Sequence, residues 1–197
     1  MNDQYTRRAF FTCLADALCQ RIEHAAKRFS DKPAREEEAE PSFIRPPGAG
    51  DESRFLAACT RCTDCIEACP YDSIRRLGPE LGDVAGTPAI IPNESPCYLC
   101  ADMPCITACP TDALLPLDRA QVRMAEATIN RADCYQAMGQ PCDYCVKHCP
   151  LGSDAIACGD DGVPAIDPQG CAGCGVCAFL CPADAVTIRP LPETAIA

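Results

Sequence analysis

The sequence has no Trp, only five Tyr and six Phe among 197 residues, and two His. So few large rings leave little material for an ordinary apolar core. No apolar run approaches the length of a membrane span, which argues against an integral membrane protein. Positive charge is also scarce: 17 Lys and Arg stand against 28 Asp and Glu, a formal net charge of −11. That balance argues against a nucleic-acid-binding surface, which depends on clustered Lys and Arg. What is abundant is cysteine, 19 residues, with 19 prolines. A chain of this kind is held together by disulfides or by metal.

The disulfide framework is the weaker of the two. The cysteine number is odd, and the chain is longer than disulfide scaffolds usually are. Thr6-Arg7-Arg8-Ala9-Phe10-Phe11 resembles the start of a twin-arginine export signal. However, Asp16, Arg21, Glu23, His24, Lys27 and Arg28 fall where an uncharged apolar stretch should run. The expected location is therefore the cytoplasm, the alternative being the periplasm by a degenerate twin-arginine signal. In a reducing compartment, clustered Cys mean metal or catalysis.

Four regions follow from the composition. Residues 1–30 read as an N-terminal amphipathic helix: Phe11, Leu14, Leu18, Ile22, Ala25 and Phe29 recur at steps of three and four. Residues 31–54 read as a linker, with Glu36-Glu37-Glu38 and the breakers Pro33, Pro41, Pro46, Pro47, Gly48 and Gly50. Residues 55–190 hold a four-fold repeat, and residues 191–197 a C-terminal tail. The leading cysteines of the repeat, Cys59, Cys97, Cys134 and Cys171, lie 38, 37 and 37 positions apart. Short apolar runs precede units two to four: Ala89-Ile90-Ile91, Ala127-Thr128-Ile129 and Ala165-Ile166. They suit the strands of small hairpins. The tails after each Cys-Pro, such as Pro70-Tyr71-Asp72-Ser73-Ile74 and Pro182-Ala183-Asp184-Ala185-Val186, suit one or two helical turns with Asp near the start.

Motif one is Cys59, Cys62, Cys65, Cys69-Pro70, with spacings of two, two and three residues. Motif four repeats it with Cys171, Cys174, Cys177 and Cys181-Pro182. Motif two, Cys97, Cys100, Cys105, Cys109-Pro110, has two extra residues before its third Cys. Motif three, Cys134, Cys142, Cys145, Cys149-Pro150, has a longer first gap. Three thiolates in a tight loop wrap three corners of an iron–sulfur cube. The fourth comes from afar, and in two-cluster ferredoxins it ligates the other motif's cluster. Sixteen ligands make four [4Fe–4S] clusters. Zinc ribbons need only two separated Cys pairs and no Cys-Pro ending. A radical enzyme using S-adenosylmethionine needs a compact Cys-x3-Cys-x2-Cys site, which does not occur. Cys13, Cys19 and Cys158 are left over and read as buried small hydrophobes. His148, one position before Cys149, reads as a surface residue or a neighbour of the ligands. No Ser-His-Asp set, phosphate loop or carboxylate pair stands out, so no enzyme activity is expected.

Phe43-Ile44-Arg45-Pro46-Pro47-Gly48-Ala49, Cys69-Pro70-Tyr71-Asp72, Pro96-Cys97-Tyr98-Leu99-Cys100-Ala101-Asp102-Met103-Pro104-Cys105 and Cys142-Asp143-Tyr144-Cys145 resemble the NapG/MauM group of ferredoxin-type proteins. NapF-type ferredoxins share the Arg-Pro-Pro segment and Gly50-Asp51-Glu52-Ser53. The resemblance implies an α+β polyferredoxin of two bacterial-ferredoxin-like bicluster modules, short hairpins and short helices around the clusters. It implies an accessory to a redox system such as nitrate reductase. The partners implied are a redox donor and acceptor, among them a membrane quinol-oxidising protein or a reductase client. Electron transfer is the expected role, and maturation of a client reductase's cofactors the alternative. Related four-cluster subunits imply nested pairing, motif one with four and two with three, so that Cys181 joins Cys59, Cys62 and Cys65. Intervening gaps of 27, 24 and 21 residues permit sequential pairing as well. Each oxidised cluster with four thiolates adds about −2, roughly −8 in all, which favours a basic partner surface.

Overall fold

The computed structural model describes residues 43–191. The expected N-terminal helix, with Cys13, Cys19 and His24, lies outside the described residues, as do residues 192–197 of the tail. Among the described residues no helix is long and apolar enough to cross a membrane.

Six short strands form three antiparallel pairs. In the first half of the described chain, β1 (Ile74–Arg76) pairs with β2 (Pro88–Ile90), with Ile74 opposite Ile90. In the second half, β4 (Ile156–Cys158) pairs with β5 (Pro164–Ile166) in the matching register, Ile156 opposite Ile166. Each hairpin joins two consecutive cysteine motifs. β3 (Ala125–Ile129) precedes motif three and pairs with β6 (Val186–Pro190), which follows motif four. The three apolar runs thus form strands as expected. Ala125 and Ala127 of β3 face inward while Glu126 and Thr128 alternate with them, the period-two pattern of a half-buried strand.

Most of the helical turns lie elsewhere than the sequence suggests. One-turn helices α2 (Asp64–Glu67), α3 (Pro104–Thr107), α4 (Tyr144–Lys147) and α5 (Val176–Phe179) each contain or adjoin the third cysteine of a motif. The third tail does hold one such turn, a 3-10 helix at Gly152–Asp154, whereas the other three tails after Cys-Pro are turns that lead into a strand or extended chain. Asp72, Asp112 and Asp184 take positive φ of 51°, 54° and 49°, and Gly152 takes 60°. Each stands three residues after the last Cys of its motif. Asp tolerates this left-handed conformation better than most side chains, so these Asp residues make a turn rather than cap a helix.

Residues 43–54 are built into the domain, contrary to the spacer reading. Ile44 bridges to Ile90, and α1 (Glu52–Ala58) leads directly into Cys59. Asp51 caps α1 by accepting from the Arg54 N–H at 2.9 Å. Arg45 explains why the segment docks. Its guanidinium lies 4.9 Å from the Phe43 ring and 4.8 Å from that of the fully buried Phe55. Its Nε donates to Glu52 at 2.8 Å, and its Nη1 donates to Thr87 Oγ1 at 2.8 Å and the Pro88 carbonyl at 2.9 Å. Gly48, at φ 86°, closes the segment: its carbonyl accepts from the Leu115 N–H at 2.8 Å, and a Cβ would lie 2.5 Å from the Leu115 oxygen. This pair occupies the place that β3 and β6 fill in the second half. One apolar core, from Ile44 through Leu99, Leu114 and Val122 to Ile188, runs through both halves.

Arg45→Ala strands Glu52 and removes the cover of Phe55. The expected cost is about 3 kcal/mol, typical of breaking a largely buried pair. At this size that lowers the apparent melting temperature by about 6–12 °C, measured on iron-loaded protein at a fixed scan rate. Lys at the same position cannot reproduce the forked donors, so Arg45→Lys should recover less than half. A wild-type melting curve for either variant contradicts the role assigned to Arg45.

Candidate metal centres

The sixteen motif cysteines meet in four groups of four. Cys59, Cys62 and Cys65 line one cavity with Cys109. Cys97, Cys100 and Cys105 line a second with Cys69. Cys134, Cys142 and Cys145 line a third with Cys181, and Cys171, Cys174 and Cys177 a fourth with Cys149. Each group takes three thiols from one motif and the last thiol of its neighbour.

The exchange is sequential, one with two and three with four. Nested pairing is therefore corrected: Cys109, not Cys181, joins Cys59, Cys62 and Cys65, and Cys69 joins motif two rather than motif four. The hairpins supply the reason. β1–β2 and β4–β5 fold the chain back within the short gap between consecutive motifs, and so set each motif against the next.

Local backbone shape serves the sulfurs. Two residues after the leading cysteine, Arg61, Leu99 and Gly173 take positive φ of 60°, 49° and 69°. For Arg and Leu that costs about 1–2 kcal/mol each, a strain that persists only where the surroundings impose it. The Gly173 N–H donates to Cys171 Sγ at 3.4 Å. Beyond the Cys-Pro turns, the N–H groups of Ser73, Leu114 and Ala185 donate to the Sγ atoms of Cys69, Cys109 and Cys181 at 3.4, 3.5 and 3.3 Å. The left-handed Asp at each of these turns re-aims the following amides at sulfur. Donors fixed on sulfur stabilise thiolate and tune a bound cluster.

Burial pushes the Cys65 thiol up to about 12, and the nearby Cys62, Cys109 and Cys59 add to it. Cys97 likewise rises to about 12, and Cys105, Cys145 and Cys174 to about 11, burial leading in each case. Burial also acts on Cys109, but the amides of Leu114, Thr111 and Ala113 outweigh it and pull that thiol below its usual range. Most of these pockets thus favour neutral thiols until positive metal arrives, and loading releases protons.

The donor set fits a thiolate-held iron–sulfur cluster in each pocket: four soft sulfurs, apolar walls and amides directed at sulfur. Among the described residues no three His, Cys, Asp or Glu side chains converge closely enough for a single metal ion.

Cys158 stands apart from all four groups and is exposed, not buried as its residue type suggested. It ends β4, two residues beyond the buried Ile156. His148 lies at the surface, its ring stacked on Tyr144 and its Nδ1 at 2.9 Å from the Tyr144 carbonyl. Tyr71 and Tyr98, with ring centroids 4.5 Å apart, cover the rim of the Cys69–Cys97–Cys100–Cys105 group. Their place beside a Cys-Pro and a leading Cys was the available sequence signal.

With iron bound, Cys69→Ser should alter the same EPR signal as Cys100→Ser. Coincidence with the signal altered by Cys174→Ser would contradict the observed pairing.

Comparison with known proteins agrees with this chemistry. Residues 58–113 match the 4Fe-4S dicluster domain. The methylamine utilization ferredoxin-type protein MauM of Methylorubrum extorquens is 37% identical over 92% of this chain and 83% of its own length. MauM of Paracoccus denitrificans is 40% identical over 76% of this chain and 71% of its own. The ferredoxin-type protein NapG of Escherichia coli is 33% identical over 76% and 70%. NapF of the same organism is 33% identical over 75% of this chain, with a weaker overall match. The chain belongs to the NapG/MauM group of ferredoxin-type iron–sulfur proteins.

Proposed function

We propose that the chain carries four [4Fe–4S] clusters in two bicluster modules and passes electrons between a donor and an acceptor protein. The ligands would be Cys59, Cys62, Cys65 and Cys109; Cys69, Cys97, Cys100 and Cys105; Cys134, Cys142, Cys145 and Cys181; and Cys149, Cys171, Cys174 and Cys177. The observation that carries this reading is the reciprocal exchange of the last thiol within both motif pairs. It leaves every group with four sulfurs and no position for a substrate at iron. That suits a carrier better than an enzyme. The chain's part is to hold the sulfurs, aim amides at them and exclude water. Bound clusters supply one-electron reduction and oxidation.

The redox system served is read from the family. MauM relatives are named for methylamine utilisation, and the NapG resemblance points to a respiratory chain such as that of nitrate reductase. Either system supplies redox proteins as donor and acceptor. The formal charge of −11, made more negative by clusters, favours docking to a basic surface.

Iron and acid-labile sulfide are to be counted per chain after anaerobic purification, before and after brief chelation. The expected result is about sixteen of each, retained through chelation. A full count stripped within minutes supports the maturation role instead, and zinc without sulfide overturns the cluster assignment.

A further inference from the structure

The two halves touch at one seam built from the ligand residues themselves. The Cys97 N–H donates to the Cys174 carbonyl at 3.0 Å. Among the described residues it is the one backbone hydrogen bond joining residues 43–117 to residues 125–190. Beside it, Gly175 at φ 90° packs on Pro92 so closely that a Cβ would lie 2.5 Å from the Pro92 Cβ. Pro92 and Gly175 are both buried. In the connection between the halves, Arg119 donates through Nη2 to the Pro150 carbonyl. Its Nε is buried with no hydrogen-bond partner. Arg119 acts electrostatically on Cys100, and Pro150 lines the group that contains Cys149 and Cys174.

These contacts all fall between two of the four thiol groups. On one side is Cys69, Cys97, Cys100 and Cys105, and on the other Cys149, Cys171, Cys174 and Cys177. Within the first half, α2 with Cys65 packs on α3 with Cys105. Within the second, α4 with Cys145 packs on α5 with Cys177. The groups therefore have a linear order with the seam at its middle.

We propose that the Cys97 N–H···O=C Cys174 hydrogen bond is the junction through which electrons cross between the halves. It orders the four centres as those of motifs one, two, four and three, and Arg119 is the positioning residue that holds the junction closed. This rests on the four-cluster reading above. The path from Cys97 Sγ to Cys174 Sγ runs through two side chains and one hydrogen bond, with no gap through space. Electrons enter and leave at the outer groups, so donor and acceptor dock at opposite ends of the chain's order, on motif one and motif three. One electron crosses at a time, the giving centre being oxidised as the receiving one is reduced.

The test uses fully reduced holoprotein, read by the magnetic interaction between centres in EPR, with iron and sulfide counted on each sample. Gly175→Ala should keep the wild-type metal count and lose part of the interaction broadening, leaving the two within-half pairs. Adding Pro92→Gly removes the atom that the new Cβ meets and should restore at least half of the loss. Full metal with unchanged broadening in Gly175→Ala overturns the junction. Where Gly175→Ala sheds iron, Arg119→Gln decides, since it lies outside every cysteine loop. That variant should keep its iron, weaken the broadening and lower the midpoint potential of the motif-two centre. Unchanged broadening and potential in Arg119→Gln overturn the proposal. Fewer than four centres in the wild type would instead contradict the reading on which it rests.

Discussion

Each motif holds three thiols in a tight loop and sends its fourth away, so no motif in this chain completes its own set of four. That constraint governs the rest of the fold. Motifs must be folded in facing pairs, and the short hairpins β1–β2 and β4–β5 do this by reversing the chain between them. With 6% aromatic residues, the protein has little apolar mass to spare. Its core is a continuous cluster of mainly aliphatic side chains and cysteine, with the Phe55 ring buried in it. Metal contributes folding energy directly in sites of this kind, and buried thiols that resist ionisation make the unloaded pockets poor substitutes for loaded ones.

The two halves solve the same closure problem with different parts. The second uses a five-residue pair, β3 with β6. The first uses the Arg45-Pro46-Pro47-Gly48 segment against Leu115, locked by an arginine between two phenylalanines. In both, backbone in the left-handed region sits beside the sulfurs. The left-handed backbone at Leu99 and Gly173 goes with amides that donate to the leading thiols Cys97 and Cys171.

Much of this was legible in the sequence. Cysteine spacing identified the sixteen candidate thiols, and the three apolar runs marked strands β2, β3 and β5. Three features were not legible, each for a physical reason. Pairing depends on which way a hairpin turns, and gaps of similar length allow either arrangement. Asp72, Asp112 and Asp184 carry the same local signal for a helix cap as for a left-handed turn, and only the sulfur acceptor behind them decides. Pro46, Pro47 and Gly48 read as linker because breakers look alike in a spacer and in a buried strap. The partner that made the difference, Arg45 with Phe55 ten residues later, carries no periodic signature.

The central claim is that consecutive motifs exchange their last thiols to build four iron–sulfur sites. An anomalous-difference map at the iron edge, from crystals of anaerobically prepared protein, tests it most directly. The account predicts four compact iron peaks, with Cys69 beside the motif-two peak, Cys109 beside motif one, Cys149 beside motif four and Cys181 beside motif three. Fewer than four peaks, or Cys69 against the iron of motif four, would contradict it.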